Sequence, residues 1–304
     1  VSDGGEPHSA VFFGAVRDFW WNADQLELCA RRIGFGDVRS VLDVGSGVGH
    51  WGRLLRHVLA PDATVVGIDP EPVWVEEATR QAAAAGVADR FSYLEAAAEE
   101  LPFDDGSFDL VTCQTVLIHV PDPFAVVREM VRVTRPGGLV VASEPNNRAL
   151  TLIDSSVTAG SSVDERIDLV RFYLTCERGK VALGEGDNSV GDLVAGFLAD
   201  AGLEDVQSYQ SDKVTLMLPP YEGEEAQAYK QSLAEEAGRG AFGWTRAEAL
   251  RYYEAGGGDP AEFDAAWERR VAESRAQHAA VETGDFRSGG GDLLYLVAGR
   301  RPSP

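Results

Sequence analysis

The sequence predicts an α/β chain, a doubly wound, mostly parallel seven-stranded sheet with helical cap insertions. Three observations predict it. Short apolar runs alternate with helical stretches at steady spacing. The first of these runs ends in a glycine-rich turn that opens a helix. The 304 residues, 44% hydrophobic and 25% charged, are enough for one large globular domain.

The elements follow in order. Residues 12–33 read as one helix within an N-terminal helical segment, 1–35, and carry the cluster Phe19, Trp20 and Trp21. Residues 40–44 form a buried strand. A helix from His50 to about Leu59 stops before Pro61. Residues 64–68 are the second strand, 71–85 a helix ended near Gly86, 91–94 the third strand and 108–113 the fourth. Asp122 and Pro123 supply an N-cap and a first-turn proline for a helix through Val133. The run Arg135-Pro136-Gly137-Gly138 breaks it and leads into a fifth strand, 139–143.

The rhythm then changes. About forty residues, 146–188, precede the next clear helix, 189–201. A sixth strand lies within 206–218. Thr245 with Glu248, and Asp259 with Glu262 behind Pro260, each read as a capping box. Phe263, Trp267 and Val271 recur every four residues, as an apolar helix stripe does. Residues 292–299 close the chain as a seventh strand. The segments 146–188 and 222–288 read as insertions in a single domain, 1–304, that cap the sheet's open edge. Gly160, Gly179, Gly184, Gly186 and Gly256–Gly258 offer joints for a mobile cover.

Composition narrows the partners. The net charge is −22, from 49 acidic and 27 basic residues. Such a surface repels phosphate backbones and anionic membranes, so neither nucleic acid nor membrane is an expected partner. A salt-rich habitat and plain compositional bias both account for the acidity. Cys29, Cys113 and Cys176 are odd in number and widely spaced, with no CxxC pair. They predict free thiols in a reducing cytoplasm rather than disulfides or a zinc site. Residues 1–10 lack a basic stretch followed by an apolar one, so no secretory signal is expected there. Oligomeric state stays open between monomer and homodimer.

The chemistry concentrates at Val41-Leu42-Asp43-Val44-Gly45-Ser46-Gly47-Val48-Gly49-His50. Glycines at a strand-to-helix turn let backbone approach a ligand with no Cβ in the way. Twenty residues after Gly49, Asp69 ends the second strand, where a carboxylate can hold both ribose hydroxyls. Gly47, Gly49 and Gly52 also fit GxGxxG, so a nicotinamide or flavin oxidoreductase is the competing reading, and a non-catalytic cofactor-binding protein a third. Asp43, two positions before the first glycine, and the segment 96–119 argue against a dinucleotide enzyme.

Five ordered pieces, VLDVGSGVG (41–49), VVGID (65–69), AAAEELPFDDGSFDLV (96–111), VLIHVPDP (116–123) and TRPGG (134–138), resemble the class I S-adenosylmethionine-dependent methyltransferases. Within that family they resemble the quinone-biosynthesis and secondary-metabolite type. The resemblance implies a Rossmann-like fold, S-adenosylmethionine as cofactor and a small-molecule acceptor whose methylated atom (O, N or C) it leaves open. It implies that Gly45, Ser46, Gly47 and Gly49 line the methionine and ribose side, that Asp43 braces the loop, and that Asp69 holds the ribose. Pro70, Ala97 and Ala98 would border the adenine, and Gln114 the methionine end. The chain departs from the family where Ala96-Ala97-Ala98 replaces Gly-Asp-Ala, which removes a carboxylate for the adenine amino group. Glu99 or a backbone carbonyl stands in for it.

His119, after the fourth strand, is the candidate general base; its alternative is a packing role. No metal is expected, because Gln114 stands where metal-dependent catechol-type relatives need a carboxylate. His50, Glu144 and Asn146 each carry a ligand reading beside a capping or turn reading. Trp20 and Trp21 point in different directions on a helix, so one of them packs. Tyr173 and Cys176 share a helix face that fits a core.

Overall fold

The computed structural model describes residues 15–291 and 293–303. The opening of the 1–35 segment and the expected strand start at 292 lie outside the described residues. Seven strands form one sheet: β1 (Ser40–Val44), β2 (Thr64–Asp69), β3 (Phe91–Glu95), β4 (Phe108–Gln114), β5 (Thr134–Pro145), β6 (Glu204–Gln210) and β7 (Leu294–Arg300). Their order is β3-β2-β1-β4-β5-β7-β6. All neighbours pair in parallel except β7, which runs antiparallel to β5 and β6. The order reverses between β1 and β4, and open α/β sheets bind ligands beyond the strand ends at that point.

Helices cover both faces. One core joins Val41, Leu110, Val141 and Leu296 of the sheet to Leu26, Cys29 and Ile33 of α1 (Ala23–Ile33) and Trp51 and Leu55 of α2 (His50–Leu55). Ala82 of α3 (Pro72–Ala84) completes that side. The other core joins Leu42, Val111, Val140 and Val297 to Val126 and Met130 of α4 (Pro123–Val133) and Leu198 of α6 (Val194–Asp200). Alternation along each strand sends successive residues to opposite cores.

The remaining helices, α5 (Val163–Ala182), α7 (Glu224–Arg239), α8 (Arg246–Ala255) and α9 (Pro260–Thr283), come from the two insertions. They meet rather than act as two separate covers. Phe172, Tyr173 and Cys176 of α5 share an aromatic core with Tyr252 and Tyr253 of α8 and Phe263 and Trp267 of α9. The second insertion also packs α7 against the 3₁₀ turn Ala15–Phe19. Among the described residues, no helix is long and apolar enough to cross a membrane.

Several local expectations need correction. Residues 12–33 are not one helix: a 3₁₀ turn, Ala15–Phe19, breaks at Trp20–Asn22 before α1 begins. Trp21 swings into the core beside Trp51, with ring centroids 6.0 Å apart, and this inward turn breaks the helical path. The second helix ends at Leu55, because the His57 and Val58 amides tighten onto carbonyls three residues back.

The stretch 146–188 contains the 20-residue α5, opened by a capping box between Ser162 and Glu165. Apolar periodicity hides α5: Val163, Ile167, Leu174 and Val181 are exposed while Leu169, Phe172 and Cys176 are buried. The helix expected over 189–201 is a 3₁₀ turn, Val190–Leu193, followed by the short α6. Strand six stops at Gln210, and Val214, Leu216 and Leu218 run on exposed. Thr245 and Glu248 do form a capping box. Asp259 instead caps alone, its short side chain accepting from the Ala261 N–H rather than from N3.

Four of the glycines offered as joints are close-packing contacts. A Cβ on Gly179 would stand 1.7 Å from the Tyr252 carbonyl oxygen, and one on Gly256 would stand 1.9 Å from that of Thr175. These two glycines let α5 and α8 cross backbone to backbone. Gly186 and Gly258 meet Ile118 and Tyr253 as closely, while Gly160, Gly184 and Gly257 face open space.

Candidate active site

The glycine loop joins β1 to α2 at the carboxyl end of the sheet. Gly45, Gly47 and Gly49 have φ of +63°, +51° and +75°, a region that favours glycine. Space imposes the same choice: a Cβ on Gly45 would come within 2.5 Å of Val116, and one on Gly49 within 2.4 Å of the Tyr93 hydroxyl. The Ser46 N–H donates to the Ile68 carbonyl at 2.7 Å and pins the loop to β2. The Ser46 hydroxyl itself lies over Gly67 of β2.

Two carboxylates organise this loop. Asp69 accepts from the Gly47 N–H at 2.9 Å on one oxygen and from the Glu71 N–H at 3.0 Å on the other. Each oxygen keeps a lone-pair position, so two ribose hydroxyls fit this carboxylate. Asp43 accepts from the Gly52 N–H at 3.0 Å and so ties β1 to α2. Its other oxygen is buried with no partner among the described residues. Burial pushes Asp43 up to about 7 and also raises Asp69, against the pull of their backbone donors.

The residues expected beside an adenine gather at the ends of β2 and β3. Pro70 and Ala97 are exposed there, and the Ala96 N–H donates to the Asp69 carbonyl. Ala98 packs into the core instead, and Glu99 is exposed. His50 pairs with Asp18 at 2.9 Å, which draws the N-terminal turn onto the glycine loop.

The end of β4 forms the opposite wall. Gln114 is buried and donates to the Ser143 hydroxyl at 3.4 Å. Thr115 takes a φ of +53°, so the chain turns sharply and carries Val116 over the glycine loop. His119 follows, half-buried, its N–H donating to the Val116 carbonyl at 2.9 Å. Glu144 is fully buried behind this turn, and one of its oxygens accepts from the Val116 and Leu117 N–H groups at 2.9 and 3.0 Å. Burial holds Glu144 up at about 7. Its geometry is that of a bracket for the turn 116–119, and its second oxygen is buried with no hydrogen-bond partner among the described residues. Asn146 donates to Asp192 at 2.7 Å on the same rim. Tyr173 and Cys176 lie in the cap core, Tyr173 stacked on Trp244.

Arg17 and Lys180 carry no sequence signal, yet both reach this wall. Arg17 donates to the Thr115 hydroxyl at 3.4 Å and lies over the Trp20 ring at 5.1 Å. Burial lowers its guanidinium to about 10. Lys180 arrives from α5. No local motif surrounds either residue.

Comparisons with known proteins give this geometry a family. A family described as "Methyltransferase domain" matches residues 42–142, from β1 to β5. The ubiquinone biosynthesis O-methyltransferase of Paracidovorax citrulli is 36% identical over 169 residues, 51% of this chain and 68% of that protein. The chain belongs to the class I S-adenosylmethionine-dependent methyltransferases. Against the 27-O-demethylrifamycin SV methyltransferase of Amycolatopsis mediterranei, this methyltransferase is 34% identical over 62% of its own length and 64% of the relative's. The YcgJ protein of Bacillus subtilis shares the fold, with a TM-score of 0.51 and 18% identity, covering 93% of this chain and all of that one. Nothing in these comparisons supports an oxidoreductase. The family match ends at 142, so all four cap helices lie outside it.

Proposed function

We propose that this methyltransferase moves the methyl group of S-adenosylmethionine onto a hydroxyl of a small-molecule acceptor. One observation carries the proposal: the Gly47–Asp69 pair and the turn 114–119 are brought together at one strand end, where β1 and β4 neighbour each other. Both O-methyltransferase relatives favour oxygen as the acceptor atom. The net charge of −22 favours a small molecule over a nucleic acid or an anionic membrane. Three free, buried cysteines fit a reducing cytoplasm.

Bound S-adenosylmethionine supplies a methyl group made electrophilic by its sulfonium. Asp69 takes the ribose hydroxyls, and Gly45, Gly47 and Gly49 give the rest of the cofactor close backbone contact. Pro70 and Ala97 border the adenine, and Gln114 faces the methionine end. The turn 114–119 would hold the acceptor beside the methyl donor, and such positioning would supply much of the acceleration. His119 would take the proton of an acceptor hydroxyl held at this turn. The cap excludes water and chooses the acceptor.

Tritiated-methyl transfer to a panel of phenols, alcohols and amines tests this. Label on phenols or alcohols, with His119→Asn slowed about tenfold or more, is the expected result. Label confined to amines or carbon would overturn the hydroxyl assignment.

A further inference from the structure

The turn 116–119 is gripped from two sides. Glu144 on β5 holds it by the N–H groups of Val116 and Leu117. From the cap, the Lys180 Nζ donates to the Ile118 carbonyl oxygen at 3.1 Å. The segment after α5 presses on the same peptide: Gly186 has a φ of +90°, and a Cβ there would stand 2.2 Å from the Ile118 oxygen.

Lys180 is an unusual residue to find here. The chain has three lysines, and this one is 6% exposed in the last turn of α5. It also donates to the Asn188 Oδ1, while the Asn188 Nδ2 donates to the Glu177 Oε1 at 2.7 Å. The amide of Asn188 therefore links two buried opposite charges, and Glu177 is 2% exposed. Burial lowers the Lys180 ammonium, and the Glu177 carboxylate pulls it back up. An apolar contact would fasten α5 at least as well, since buried ion pairs add little net stability over well-packed hydrophobics. What an ammonium adds is direction: it fixes one carbonyl oxygen at one place.

We propose that Lys180 is a positioning residue for the methyl-transfer centre. By fixing the Ile118–His119 peptide it sets where the His119 ring points, and it couples that setting to the seating of the cap. This rests on the methyl-transfer reading above. It also makes the α5 end of the cap a fixed wall beside that turn, and α8, which crosses α5 at Gly179 and Gly256, is held with it.

The test uses the full chain with carbon-13 at histidine ring Cε1 and S-adenosylhomocysteine as the probe. The His119 signal is identified by its loss in His119→Asn. In Lys180→Met that signal should shift or broaden, the His50 signal should stay, and the variant should still bind the probe. An unmoved His119 signal in a folded, probe-binding variant overturns the proposal. Failure of the unsubstituted protein to bind the probe overturns the methyl-transfer reading instead, and the ligand-free spectra still judge Lys180. Should Lys180→Met not fold, amide exchange in the unsubstituted protein decides. Amides of 117–119 that open together with α5 support the link, and opening independent of α5 overturns it.

Discussion

The Gly47 N–H and the Asp69 carboxylate meet at 2.9 Å, across 22 residues of sequence. One hydrogen bond therefore sets both the shape of the glycine loop and the orientation of the carboxylate that would take the ribose. Asp69→Ala should weaken S-adenosylmethionine binding by about 1.5–3 kcal/mol through lost charge-assisted bonds. Calorimetry checks it, and unchanged affinity in a folded variant would remove Asp69 from the site.

Stability should fall as pH rises toward neutrality. Asp43 and Glu144 are both held up at about 7 by burial, well above their unfolded values of about 4. A raised carboxylate contributes stability that is fully present below the unfolded value and is lost as pH rises through the folded one. The melting temperature of the ligand-free protein should therefore drop between about pH 4 and about pH 7. The double variant Asp43→Asn, Glu144→Gln should flatten part of that slope. An unchanged slope in the double variant would mean that other groups govern it.

The cap depends on two glycines. Gly179→Ala would place a methyl group on the Tyr252 carbonyl, and overpacking of this kind costs about 1–3 kcal/mol. The loss should fall on α5 and α8 while the sheet holds, as separate thermal and proteolytic transitions would report. Gly160→Ala, in open space, is the control. Equal stability for both variants would count against the close crossing.

Methyl transfer should need no divalent metal. Gln114 contributes an amide where a metal site would need a carboxylate, and it is engaged with Ser143. A chelator should leave the rate of label transfer unchanged. Activity lost to the chelator and restored by magnesium would contradict this.

Limited proteolysis should separate the two insertions. With α5 tied to the turn 116–119 through Lys180 and crossed by α8 at Gly179 and Gly256, cuts should spare both helices, fall elsewhere in 222–288, and slow when S-adenosylhomocysteine and an acceptor are present. Cleavage spread evenly over both insertions and the sheet, with or without ligands, would leave no mobile cover.

What the sequence determined by itself is local. A strand running into Gly45-Ser46-Gly47-Val48-Gly49, an aspartate ending the next strand, and a proline behind an N-cap each act within a few residues, so their spacing was enough to place them. The parallel sheet followed from their alternation. Tertiary structure decided the rest. It packed the segments 146–188 and 222–288 around one aromatic core, because α5 and α8 could approach only where Gly179 and Gly256 leave room for backbone. It turned Glu144 into a bracket for Val116 and brought Lys180 to Ile118 across 62 residues. Such meetings depend on how helices pack over strand ends, and packing between distant segments leaves no period or motif in the chain.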